Sequence, residues 1–103
     1  MPRWIDVCAL EEIEPEGTRR FDHEGRTFVI VRGPGEEVFC LDGLCTHEKV
    51  HLAGGLVIDG VIECPKHAAQ FDCRTGEVLM GPACVDLRTW PARVEGGRVL
   101  VEV

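Results

Sequence analysis

The chain has 103 residues, 45% of them hydrophobic, and sets 11 Lys and Arg against 18 Asp and Glu for a formal net charge of −7. That length suits one domain, which hides roughly 60–70% of its unfolded surface, and the acidic balance without a basic stripe argues against a nucleic-acid partner. No apolar run approaches the ~20 residues of a membrane-spanning helix, and the start, Met1-Pro2-Arg3-Trp4-Ile5-Asp6, has neither a signal stretch nor twin arginines, so the expected location is the cytoplasm.

Taken in chain order, short β-branched or aromatic segments bounded by Gly, Pro or Asp predict strands at 4–9, 27–32, 37–41, 56–58, 61–63, 85–90 and 98–103. Glu11-Glu12-Ile13 reads as a short helical turn or a loop, and His23-Glu24-Gly25 and Glu95-Gly96-Gly97 as turns. Asp59-Gly60, set between two three-residue apolar segments, is a two-residue hairpin signal, because a type I′ turn needs positive φ at both central positions. Gly54-Gly55 suits backbone with positive φ. Helical periodicity is weak throughout, so the fold class is all-β, an antiparallel sandwich or small barrel, with residues 1–103 as a single domain. Neither repeats nor low-complexity linkers interrupt it.

The chemistry concentrates in Cys45-Thr46-His47 and Cys64-Pro65-Lys66-His67, with sixteen residues between His47 and Cys64. Two thiolates and two imidazoles thus come as two matched pairs, each from one loop. A zinc finger usually takes both cysteines from a hairpin and both histidines from a following helix. A two-iron cluster with one iron held by thiolates and the other by imidazoles instead needs one ligand of each kind from each flanking loop. The four donors also suit a structural zinc site, which metal analysis separates from a cluster because zinc has neither colour nor redox titration. The remaining cysteines, Cys8, Cys40, Cys73 and Cys84, have apolar or small neighbours and read as buried free thiols. None has the basic surroundings of a reactive sensor thiol. His51 reads as a surface or loop-packing residue and His23 as an exposed one; Lys49 and Lys66 place positive charge beside the ligand pairs.

CxH and CxxH at this separation, followed by Gln70-Phe71-Asp72, Arg74-Thr75-Gly76 and Gly81-Pro82-Ala83, resemble the Rieske [2Fe-2S] proteins over essentially the whole chain. The resemblance implies one [2Fe-2S] cluster, with Cys45 and Cys64 on the inner iron, His47 and His67 on the outer iron, and Gly81-Pro82-Ala83 as a third, shielding loop. It also implies a small cluster-binding subdomain, about residues 43–81, inserted between the base sheets, with Asp72 and Arg74 bracing the second ligand loop. High-potential respiratory members carry a serine two residues after the second ligand histidine, a tyrosine further on, and a disulfide joining the ligand loops. Here Ala69 takes the serine position, tyrosine is absent from the chain, and Val50 and Lys66 replace the disulfide cysteines. With fewer hydrogen bonds to stabilise the reduced state, the potential is expected near the low end of the family range, roughly −150 mV.

The implied function is that of a Rieske-type ferredoxin, a monomeric one-electron carrier between a flavin reductase and a terminal aromatic-ring oxygenase, with no catalytic site of its own. Two alternatives stand beside it. One is the small Rieske-like subunit of a nitrite reductase, where the cluster ligands are commonly absent; the other is a zinc-stabilised binding module. A terminal oxygenase would need a further domain holding a mononuclear iron, which the chain ending at Val103 leaves no room for.

Overall fold

The computed structural model describes residues 2–46, 49–66, 68–81 and 85–103. The strands are β1 (Trp4–Ala9), β2 (Thr18–His23), β3 (Arg26–Arg32), β4 (Val38–Asp42), β5 (Val57–Ile58), β6 (Val61–Glu63), β7 (Gln70–Asp72), β8 (Val78–Met80), β9 (Thr89–Trp90), β10 (Ala92–Glu95) and β11 (Arg98–Glu102). A single 3₁₀ turn, Leu10–Glu12, follows β1, and the Glu12 side chain accepts the Ala9 backbone N–H at 2.9 Å to close it. Among the described residues, no helix is long and apolar enough to cross a membrane.

The strands form three antiparallel sheets among the described residues, ordered β1-β11-β10, β2-β3-β4-β9 and β5-β6-β7-β8. The middle sheet explains the unbroken apolar run of β3. Side chains alternate across a strand, so Phe28 and Ile30 point to one face with Cys40 of β4, while Val29 and Val31 point to the other with Leu41. The first face packs on Val99 and Val101 of β11, Cys8, Leu10 and Ile13. The second packs on Val57, Ile62 and Phe71 of the third sheet, and on Cys45 and Cys64. A strand buried on both sides loses its polar alternation.

The tight turns follow their residues. Asp59-Gly60 has φ of 51° and 77°, and Glu24-Gly25 and Gly96-Gly97 show the same double-positive pattern. This is the type I′ signature, whose twist matches the flanking strands. Gly54 takes φ of +92°, as expected of that pair, whereas Gly55 is glycine for a different reason: a Cβ there would run into the Glu63 carbonyl oxygen.

Five segments depart from expectation. β2 pairs along β3 from Thr18↔Val31 to His23↔Arg26, although Arg19, Arg20 and Asp22 hide its strand character. β7, β8 and β10 carry at most one β-branched residue each and become strands through their ladders to β6, β7 and β11. The segment 85–90 is a strand only at Thr89–Trp90. Leu87 instead donates its backbone N–H to the Gly76 carbonyl at 2.8 Å, so residues 85–88 lie as a strap against the β7–β8 turn.

Candidate metal centre

Cys45 and Cys64 occupy the same station in two turns of matching design. The Cys45 N–H donates to the Val50 carbonyl at 2.7 Å, and the Cys45 carbonyl accepts from the Lys49 N–H at 2.8 Å. The Cys64 N–H donates to the Ala69 carbonyl at 2.7 Å, and the Cys64 carbonyl accepts from the Ala68 N–H at 3.2 Å. Lys49 and Ala68, equivalent in the two turns, both take left-handed backbone, with φ of 57° and 59°. One bridge closes each stem, Leu44↔His51 in the first and Glu63↔Gln70 in the second. The repeat is one of backbone, with no matching sequence beyond the cysteines.

Both cysteines are buried, at 0% and 1% exposure, within the same core. Buried thiols become stable as thiolates only where a cation compensates the charge, so this pair fits an iron centre chemically. His47 and His67, the two remaining donors, lie outside the described residues, as do Pro82, Ala83 and Cys84. The flanks of the third loop are described and reach both ligand turns. The Thr46 hydroxyl donates to the Val85 carbonyl at 2.8 Å. Gly81, with φ of 131°, lies so close to Ala69 that a Cβ would come within 2.5 Å of its Cα.

The turns are tied to the base by side chains. Thr18 accepts the Gly54 N–H at 2.8 Å, and Glu16 accepts the Asp59 N–H at 2.9 Å. The side-chain bonds of Asp72 lie in the β7–β8 turn and not in the second ligand turn: its Oδ1 accepts the Arg74 and Thr75 N–H groups at 2.8 and 3.2 Å. The Arg74 guanidinium lies elsewhere, 5.8 Å from the Phe39 ring centroid, so the expected pairing of Asp72 with Arg74 is to the amide of Arg74.

Lys49 and Lys66 are exposed beside the turns, and so are Met80 and Val85, at 62% and 70%. Cys8, Cys40 and Cys73 are buried at 1–2% exposure, as the sequence leads one to expect. Burial pushes the thiols of Cys40 and Cys73 up to about 12, with Asp42 and Asp72 adding to the effect. His51 is half-buried and packs into the stem of the first turn, while His23 is not fully exposed but stacks on Phe21 with centroids 5.8 Å apart. What sequence reasoning missed is the partner of His51, Thr27, because nothing local connects residues so distant in the chain.

Comparison with known proteins agrees with this geometry. The model of the Rieske [2Fe-2S] domain matches residues 3–91. The ferredoxin component of a naphthalene 1,2-dioxygenase system from Pseudomonas aeruginosa is 34% identical over 101 residues, covering 98% of this chain and 96% of that protein. Among solved structures, the ferredoxin of carbazole 1,9a-dioxygenase from Nocardioides aromaticivorans superimposes with a TM-score of 0.88 at 31% identity, covering 98% of this chain and 96% of that one. A complex of reduced oxygenase and oxidised ferredoxin in carbazole 1,9a-dioxygenase contains a chain matching with a TM-score of 0.87 at 31% identity, covering 95% of this chain and 91% of that one.

Proposed function

Because this chain belongs to the Rieske [2Fe-2S] domain family, we propose that it is the ferredoxin component of a multicomponent aromatic-ring oxygenase system, a one-electron carrier and not itself a catalyst. The observation that carries the reading is the pair of buried cysteines at equivalent stations of two matched turns, in a chain that aligns nearly end to end with such components.

In this reading the chain is one domain, residues 43–81 form its cluster-binding part, and Cys45, His47, Cys64 and His67 hold the cluster. Cys45 and Cys64 take the inner iron, His47 and His67 the outer. Bound there, a Rieske cluster supplies a one-electron couple within roughly −150 to +300 mV. The protein's own part is to hold the donors still and to keep water out. The closed turns fix both cysteine backbones, and the core formed with Leu52, Ile62 and Phe71 seals the thiolate side. Lys49 and Lys66 offset the acidic net charge locally and favour partners that present carboxylates.

A flavoprotein reductase delivers the electron and a terminal oxygenase receives it. Both meet the ligand-turn end of the protein, around Lys49 and Lys66, in encounters of the weak redox class that bury less than about 1,200 Å². The carrier works as a monomer in the cytoplasm. The test is an EPR spectrum of the dithionite-reduced protein, purified anaerobically, with iron, sulfide and zinc measured on the same sample. A rhombic signal with average g below that of plant-type ferredoxins, and iron equal to sulfide, is expected. Zinc without a signal would return the chain to a structural binding module.

A further inference from the structure

Behind the first ligand turn runs a chain of polar contacts that starts on the base hairpin. The Arg20 guanidinium meets Asp22 at 3.1 Å, and the Thr27 hydroxyl donates to Asp22 Oδ1 at 2.5 Å. Thr27 Oγ1 lies 2.8 Å from His51 Nε2, and His51 Nδ1 accepts the Ala53 backbone N–H at 3.0 Å. Only one arrangement of protons satisfies every member. An amide N–H can only donate, so Nδ1 carries no proton. The single hydroxyl proton of Thr27 goes to a carboxylate that can only accept, so Nε2 carries the proton and donates to Thr27. The ring is therefore the neutral Nε2–H tautomer, and every polar group in the chain is matched.

The surrounding backbone is shaped to this ring. Gly43, at the base of the same stem, has no Cβ; one placed there would lie 2.6 Å from His51 Nε2. The Gly43 carbonyl accepts from Leu52, next to His51, at 2.7 Å, and its N–H donates to the Thr27 carbonyl at 3.0 Å. Across the stem His51 bridges to Leu44, the residue before Cys45. The charged groups facing the imidazole are Arg20 and Asp22, both from β2. Burial and Arg20 hold its proton affinity below that of a free histidine, in keeping with a neutral ring.

We infer that His51 is a positioning residue for the electron-transfer site: as the neutral Nε2–H tautomer it locks the first ligand turn, and with it Cys45, to the base hairpin through Thr27 and Asp22. The inference rests on the cluster reading above. Fixing a turn that carries metal ligands narrows the range of geometries the metal experiences, and groups behind metal ligands commonly govern affinity in this way.

The test uses the cluster-loaded protein and three variants. Thr27→Val removes the hydroxyl from the base hairpin on a strand that favours valine, and so is expected to fold. His51→Gln retains a donor toward Thr27 but loses the acceptor for Ala53. The double variant closes the cycle. In the wild type, ¹⁵N spectra of labelled histidine should show His51 protonated at Nε2 alone. Thr27→Val should broaden the EPR lines of the reduced protein and speed cluster loss to an iron chelator about tenfold, the low end for partners behind a ligand. The double variant should be little worse than His51→Gln, because the groups act as a unit. An Nδ1–H tautomer, unchanged lines and loss rate in Thr27→Val, or additive effects in the double variant would each overturn the proposal. The wild-type spectrum separates the two readings: a normal cluster with an indifferent Thr27→Val sinks only the role of His51, whereas a wild type lacking a [2Fe-2S] signal sinks both.

Discussion

Gly76 shows how one residue can hold the site's architecture without touching a ligand. It has φ of +78°, and a Cβ there would collide with the Leu87 carbonyl oxygen. Gly76→Ala should therefore cost more than about 2 kcal/mol, from left-handed strain and the lost approach of the strap together, read as a fall in unfolding midpoint of the loaded protein. The buried thiols give a residue-scale prediction of opposite character. Cys40 and Cys73 stay protonated to about 12 when folded, against an ordinary thiol value of 9.0. Between those values the folded state binds more protons than the unfolded state, so stability falls as pH rises through that window, by on the order of several kcal/mol in all. Urea titrations at pH 8 and 10.5 should show the loss begin, and Cys40→Ala with Cys73→Ala should flatten it. At this scale the sequence was informative where spacing carries the chemistry, as with Cys45 and Cys64. For His51 it offered only a surface or loop-packing role, because the contact with Thr27 across 24 residues of chain exists only once β3 and the first turn are packed.

The elements show the same division between local and long-range causes. Asp59-Gly60 was legible because its turn chemistry is self-contained. β2 was not, since three of its six residues, Arg19, Arg20 and Asp22, are charged, and it is a strand because β3 offers it a full ladder. The 85–88 strap had strand composition, but its polar backbone groups find scattered partners, Thr46 for Val85, Gly76 for Leu87 and Asp42 at the end of β4 for Arg88, and not a continuous ladder. Phe71 of β7 is fully buried in the core that also holds both cysteines. Phe71→Ala should cost about 3–5 kcal/mol, and because the void opens in the core that seals the thiolate side, iron content should fall at temperatures where the variant is still folded. Iron analysis beside circular dichroism at the same temperature checks this; full iron in a destabilised variant would show that the core and the site are uncoupled.

For the molecule as a whole, the electrostatic expectation is a low potential. Ala69 is fully buried and brings no hydroxyl to the second turn, and the chain has no tyrosine to supply another donor. A midpoint near −150 mV is expected by protein-film voltammetry, and a value well above zero would show that donors other than these stabilise the reduced form. Ala69→Ser should raise it. The all-β class was readable from one sequence. The three-layer stacking was not, because the sidedness of β3 depends on which sheets come to cover its two faces. That arrangement also makes the far end of the protein a witness to the metal. Trp90, packed edge-on against Phe28 at 5.5 Å, sits on the side of the central wall away from Cys45 and Cys64, yet the wall they share cannot melt on one face alone. Tryptophan fluorescence on heating, to which Trp4 of β1 also contributes, is thus a label-free gauge of how much of a preparation is loaded, since occupied molecules should report a higher transition.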